Sequence, residues 1–376
     1  GNGGMKGANI IVVRKEDGNW VAEDRHSEHY STPALDDSQD VRLLFAEELN
    51  GGISWGIITP LDTCDEFDDP IQNISRWMLW AKGPGHAFTY HDGMRGQFHV
   101  NLFSGPPTEP DFTGMEQVSL RMPNVLVEGH PDGAHPTNPY KCTMFDLSQV
   151  LPGGDFNNKT HVVKMSATFS PGAERFVHHM ILSACSSYLG LSDGHTHLKE
   201  IPLCENMPAG CQDIKWAWAK GSQPLVFPDN LAMPFGEGVR WLAIQMHYYN
   251  PSLETGQRDS SGVTLTLAPS LRPLDAGIFR LNAATRMFQG IPAISPGQAS
   301  LTIPSLVVPA ACTESWDSEL TVLRVVHHMH LIGKHMDINV TRGGTWVGTM
   351  RRERLFDFNH QSFEESAVSK LKPGDQ

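Results

Sequence analysis

The sequence predicts an all-β protein built from several antiparallel sandwiches or jelly rolls, and three observations carry that prediction. Short apolar runs such as Ile10-Ile11-Val12-Val13, Trp55-Gly56-Ile57-Ile58 and Trp241 to Tyr248 are rich in β-branched and aromatic residues, which suit a pleated, half-buried surface. Twenty-six prolines and 35 glycines punctuate these runs at close spacing. Long stretches with apolar residues at helical period are hard to find.

With 376 residues the chain is long enough for two or three domains, each with its own core. Two proline-rich stretches serve as boundaries: Gly105-Pro106-Pro107-Thr108-Glu109-Pro110, and the run from Ala268 to Pro273. They divide the chain into segments 1–110, 111–268 and 269–376. The balance of 29 basic against 42 acidic side chains gives a net charge of −13, which argues against a nucleic-acid partner, since phosphate binding needs basic surface. No apolar run approaches the roughly 20 residues that span a bilayer. No signal peptide is visible, and the first residue is Gly1, so the sequence reads as processed or partial.

Six cysteines, Cys64, Cys142, Cys185, Cys204, Cys211 and Cys312, form no CxxC pair, so disulfides in an oxidising compartment are a better reading than a zinc ribbon. Sequons at Asn73, Asn158 and Asn339 fit a glycosylated protein of the secretory pathway. Eighteen histidines exceed what packing needs, and imidazole is the commonest ligand for copper and zinc.

Three histidine-bearing runs stand out. Leu320 to His335 is dense in β-branched residues and predicts a strand, whose alternation puts His328 and His330 on one face and His327 with the apolar set on the other. Two imidazoles at i and i+2 can form one arm of a metal site; His327 reads as packed. In Arg175 to Cys185 the adjacent His178 and His179 would diverge on a regular strand, and one metal takes both only at a strand end or a bulge. In Trp241 to Pro251, Leu242, Ile244, Met246 and Tyr248 make the apolar face, while Gln245 and His247 lie opposite. Alone, such a histidine is ordinarily structural. His195-Thr196-His197 follows Ser192-Asp193-Gly194 and reads as surface loop; His161 precedes a strand beside the first pair.

Order and neighbourhood change this reading. Val177-His178-His179-Met180 with trailing Cys185, then Trp216-Ala217-Trp218-Ala219, Phe227-Pro228 and Met233-Pro234-Phe235-Gly236 leading to His247, then Leu274 to Ile278, Ile291 to Pro296, and Cys312 before His328-Met329-His330, together resemble the copper type II, ascorbate-dependent monooxygenases, closest to the dopamine β-hydroxylase branch. Upstream, Pro60 to Asp65, Asp69-Pro70-Ile71 and Trp80 to Pro84 resemble a DOMON domain. The resemblance implies a DOMON-like β-sandwich (1–110) followed by two jelly-roll-type copper domains, an electron-transfer one (111–268) and an oxygen- and substrate-binding one (269–376), the latter incomplete. It implies that His178, His179 and His247 hold one copper, that His328 and His330 hold a second, and that O2, ascorbate and a small substrate, with phenethylamines one class the family takes, are the reaction partners. It further implies disulfides Cys142–Cys204 and Cys185–Cys211, with Cys64 and Cys312 left unpaired; the alternative is a Cys64–Cys312 bond between the first and last segments. A methionine thioether completes the family's second site; Met329, Met336 and Met350 lie too early to match it, so the ligand is expected beyond Gln376 and this chain is expected to be inactive without it. The rival readings are a non-catalytic metal-, haem- or sugar-binding protein and a zinc hydrolase, the latter lacking an HExxH-type base.

Overall fold

The computed structural model describes residues 3–49, 52–105, 110–128, 139–186, 197–198, 200–201, 204–207, 210–281, 294–303 and 306–376. His130, His135 and His195 lie outside them, as do parts of the expected boundary at 105–110 and of the run 291–296. The described chain is almost entirely strand and irregular structure, as the sequence predicts.

The first segment is a set of hairpins. Strands β1 (Ala8–Glu16) and β2 (Asn19–Ser27) pair antiparallel, with β3 (Ala34–Leu35) added to β2. Their two-residue turn is Asp17-Gly18, with φ of 48° and 83°, the left-handed conformation a type I′ turn requires at both positions. Strands β4 (Arg42–Leu49) and β5 (Gly52–Ile58) form a second hairpin, and β6 (Arg76–Ala81) and β7 (Arg95–Val100) a third.

The middle segment is a true sandwich. Its strands in chain order are β8 (Gln117–Arg121), β9 (Val125–Leu126), β10 (Tyr140–Asp146), β11 (Thr160–Thr168), β12 (Val177–Cys185), β13 (Glu200–Ile201), β14 (Asp213–Ala219), β15 (Leu225–Val226), β16 (Leu231–Phe235), β17 (Trp241–Tyr248), β18 (Arg258–Asp259) and β19 (Gly262–Leu267), and β20 (Leu274–Asp275), from just past the expected boundary, joins them. One sheet runs β13-β10-β17-β12-β14; the facing one runs β20-β16-β11-β19-β8, with β15 also on β11. Between them lies the main core, including Leu120, Phe145, Met165, Met180, Leu182, Trp216, Leu242, Ile244, Met246, Tyr248 and Leu265, all essentially inaccessible. The predicted apolar face of β17 is therefore the face that meets this core. Its other face is covered too, by a smaller cluster of Met144, Cys185, Cys211 and Ala243 and by the chain that the disulfides staple down, where Gln245 Nε2 donates to the Cys204 carbonyl at 2.8 Å. Both disulfides, Cys142–Cys204 and Cys185–Cys211, are formed, and Cys64 and Cys312 are unpaired and exposed.

The last segment carries β21 (Leu320–Thr321), β22 (Arg324–Val325), β23 (Met336–Arg342), β24 (Thr345–Glu353), β25 (Glu364–Glu365) and β26 (Lys370–Leu371), paired β21–β26, β22–β25 and β23–β24 around Val325, Val340 and Met350. Here one expectation is corrected. The strand predicted over Leu320–His335 stops at Val325, because beyond it the backbone pairs with no neighbouring strand among the described residues, and a turn closed by Gly333 N on the His330 carbonyl takes over. Strand alternation therefore does not orient His328 and His330.

Candidate metal centre

The middle sheet brings three of the predicted histidines together. Strand β12 pairs with β17 so that Val177 faces Tyr248 and His179 faces His247; His178 is the extra residue of a bulge. This is the irregularity that adjacent histidines need in order to turn to one side. His179 Nδ1 then lies 3.2 Å from His178 Nδ1 and 3.3 Å from His247 Nδ1. All three rings are buried, with ligand atoms within 4.8 Å of one another. Metal–nitrogen bonds of about 2 Å put ligand nitrogens roughly 2.8–3.5 Å apart for angles from about 90° to 120°, the spacing that His179 keeps to each of its two neighbours.

The surroundings fix ring orientation and charge. His178 Nε2 donates to the Phe358 carbonyl at 3.0 Å, which leaves Nδ1 as the lone-pair nitrogen turned toward His179. Phe358 also stacks on His178 at 3.8 Å, and Tyr140 stacks on His247 at 4.2 Å. Burial lowers the His178 pKa to about 4, although the Phe358 carbonyl pulls the other way. Burial, then the neighbouring His247 and His328, hold His179 well below its ordinary value. Imidazoles kept neutral in this way have lone pairs to give a metal.

The second pair abuts the first group. The His328 ring lies 5.4 Å from that of His179 and 5.4 Å from that of His330. His328 Nδ1 is 2.7 Å from Gln361 Oε1. His330 is exposed; His328 keeps an exposed edge, yet protein crowds its ring enough for burial to lower its pKa against the pull of Gln361. His327 is buried, with neither ring nitrogen hydrogen-bonded, and burial followed by Arg351 lowers it to about 3. It is packed, as predicted. His161 is tied up elsewhere, on Asp275 and the Arg272 amide, and His197 accepts from the Asp146 amide.

Sequence reasoning missed Phe358, Gln361 and Tyr140, since each reaches its histidine from a distant part of the chain with no local motif to mark it. It also missed a buried carboxylate group in the first segment. Asp24, Asp36 and Asp68 approach within 4.8 Å; burial, then Asp68 and Asp36, push Asp24 up to about 6. A shared proton, a cation or a neighbour such as His26, which touches Asp36, relieves that repulsion.

Residues 119–255 match the family model of the copper type II ascorbate-dependent monooxygenase N-terminal domain, and residues 1–83 that of the DOMON domain. The chain is 28% identical over 395 residues to DBH-like monooxygenase protein 1 of Gallus gallus and 25% identical over 397 residues to dopamine beta-hydroxylase of Bos taurus, each alignment covering 99% of this chain and 60% of the relative. Tyramine beta-hydroxylase of Caenorhabditis briggsae is 24% identical over 278 residues, 73% of this chain and 46% of the relative. The chain thus spans about 60% of the length of the first two relatives. The copper-domain match, the DOMON match and the buried histidine trio thus stand together in a chain that is similar along nearly its whole length to DBH-like monooxygenase protein 1 and dopamine beta-hydroxylase.

Proposed function

We propose that the protein is a copper-dependent monooxygenase that hydroxylates a C–H bond of a small substrate, with O2 as oxidant and ascorbate as reductant. The observation that carries this is the convergence of His178, His179 and His247 through their Nδ1 atoms, with His328 and His330 alongside. Such all-imidazole sets suit copper in both oxidation states. Copper, when bound, supplies one-electron chemistry: a C–H bond, O2, two electrons and two protons give an alcohol and water.

The chain's own part is positional. The bulge at His178 and the β12–β17 register set the three nitrogens in place before any ion arrives, and the sandwich excludes water from behind them. The Phe358 carbonyl holds the proton on His178 Nε2. His328 and His330 face the open side, where a small substrate has access. Hence we assign His178, His179 and His247 to an electron-transfer copper, and His328 and His330 to the copper where O2 and substrate meet. Domains 1–110, 111–268 and 269–376, and glycosylation at Asn73, Asn158 and Asn339, belong to the same reading; all three asparagines are exposed. The two disulfides favour an oxidising compartment of the secretory pathway. Among the described residues no helix is long and apolar enough to cross a membrane.

An oxygen electrode with copper, ascorbate and a panel of phenethylamines tests the activity. In a chain that carries the thioether ligand of the second site, ascorbate-dependent oxygen uptake with a hydroxylated product, lost in His247→Ala, is expected. Copper binding without any product across the panel would favour the non-catalytic reading.

A further inference from the structure

Residues 354–365 form a strap that touches both histidine groups on one side and the first segment on the other. Toward the histidines, the Phe358 carbonyl accepts from His178, and Gln361 Oε1 lies on His328 Nδ1. The strap is also fastened to the sandwich, where Ser222 Oγ donates to the Gln361 carbonyl at 3.0 Å. Toward the first segment the contacts recur along its whole length. Lys6 Nζ donates to the Phe356 carbonyl at 2.8 Å and Trp77 Nε1 to Ser362 Oγ at 2.9 Å. His99 Nε2 lies 3.2 Å from Glu364, the Ser75 amide donates to Glu365 at 2.9 Å, Tyr30 reaches Asp357, and Arg354 reaches back to the Phe67 carbonyl at 2.7 Å. Asp357, Gln361, Ser362 and Glu364 are nevertheless buried, so these polar groups depend on such partners.

We propose that the first segment sets the metal centre through this strap, with Phe358 and Gln361 as positioning residues for His178 and His328, and Trp77 the anchor that holds them there. A histidine that ligates a metal keeps its orientation through the hydrogen bond on its other nitrogen. Here both partners sit on a segment with no sheet of its own beyond the two-residue β25, so their placement depends on what clamps the strap from outside. The sandwich fastens it at Ser222 and Arg351 fastens it from within its own segment, through the Ser362 carbonyl at 2.8 Å. The remaining side is held by residues 6–99. The DOMON segment thereby acts on the copper chemistry without supplying a ligand.

This inference rests on the copper reading, and its test separates the two. The chain is loaded with Cu(II), and release to a chelator and the EPR spectrum are recorded for Trp77→Phe, Ser362→Ala, the double variant, Gln361→Ala and Gln361→Glu. Trp77→Phe keeps a ring but loses the donor. Expected are release about three- to tenfold faster and shifted EPR parameters in Trp77→Phe and Ser362→Ala, with no further gain in the double variant. Gln361→Ala should show the same changes, and Gln361→Glu, which keeps an oxygen facing His328, should move back toward the parent. Parent-like release and spectra in Trp77→Phe and Ser362→Ala, while Gln361→Ala is fast, would overturn the role of the first segment. A parent-like Gln361→Ala would overturn the positioning role of the strap. If the parent chain binds no copper at all, the functional reading fails first and the inference falls with it. Should Trp77→Phe unfold, Ser362→Ala alone decides.

Discussion

The middle sandwich and the two segments flanking it hold their histidines by different means. In the sandwich, His178, His179 and His247 stand on adjacent central strands, β12 and β17, backed by a core whose side chains are nearly all inaccessible. In the last segment, His328 and His330 follow a strand that ends at Val325, and His328 takes its setting from the Gln361 side chain 33 residues along the chain. The flanks also leave large apolar groups in the open, among them Leu44, Trp55, Trp80, Ile332 and Trp346. Burying an apolar side chain is worth about 1.5–3 kcal/mol, so the sandwich carries most of the packing energy. The trio is thus placed by two paired strands of the sandwich, with the Phe358 carbonyl orienting His178, while the pair is set by tertiary contacts alone.

The largest expected effect breaks that sandwich. Leu242→Ala, at a fully buried site of β17, should cost about 2–5 kcal/mol in urea unfolding, whereas Leu44→Ala, which is 54% exposed, should cost roughly 0.5 kcal/mol or less. Equal costs would erase the contrast. Next in size is the staple behind β17. Replacing Cys185 and Cys211 together by serine opens a loop of 26 residues and should lose about 3 kcal/mol. Cys64→Ser and Cys312→Ser, at exposed unpaired thiols, should change little.

How far the sequence went follows the same division. The trio was legible as one site only through the family resemblance; locally the adjacent histidines showed no more than the need for a strand end or a bulge, which β12 has at His178, and His247 alone read as structural. The pair was legible as ligand types, but not as geometry: the β-branched run Leu320–Val326 suggested a continuous strand, and local propensity cannot reveal that the neighbouring strand stops. Gln361 and Phe358 left no trace, since a single glutamine or phenylalanine becomes a partner for histidine only through contacts 33 and 180 residues away in sequence.

The first segment sharpens the comparison through charge. The folded state raises Asp24 from 3.8 to about 6, so it binds that proton more tightly than the unfolded chain. Its contribution is complete below about pH 4 and is lost as pH rises through about 6, a fall of roughly 3 kcal/mol at most. Asp24→Asn should flatten this dependence and raise Tm at pH 7; an unchanged profile in thermal melts from pH 4 to 8 would contradict it. The smallest effect concerns His327, buried without a hydrogen bond on either nitrogen. His327→Leu should leave copper content unchanged and stability within about 1 kcal/mol of the parent. Loss of copper would make it a ligand rather than a packed residue.

The central claim is that a metal sits among His178, His179 and His247. Its most direct measurement is copper bound per chain in purified His247→Ala beside the parent, each checked by circular dichroism for an intact fold. The account predicts one equivalent fewer in the variant, with the β spectrum retained. An unchanged copper content in a folded variant would contradict it.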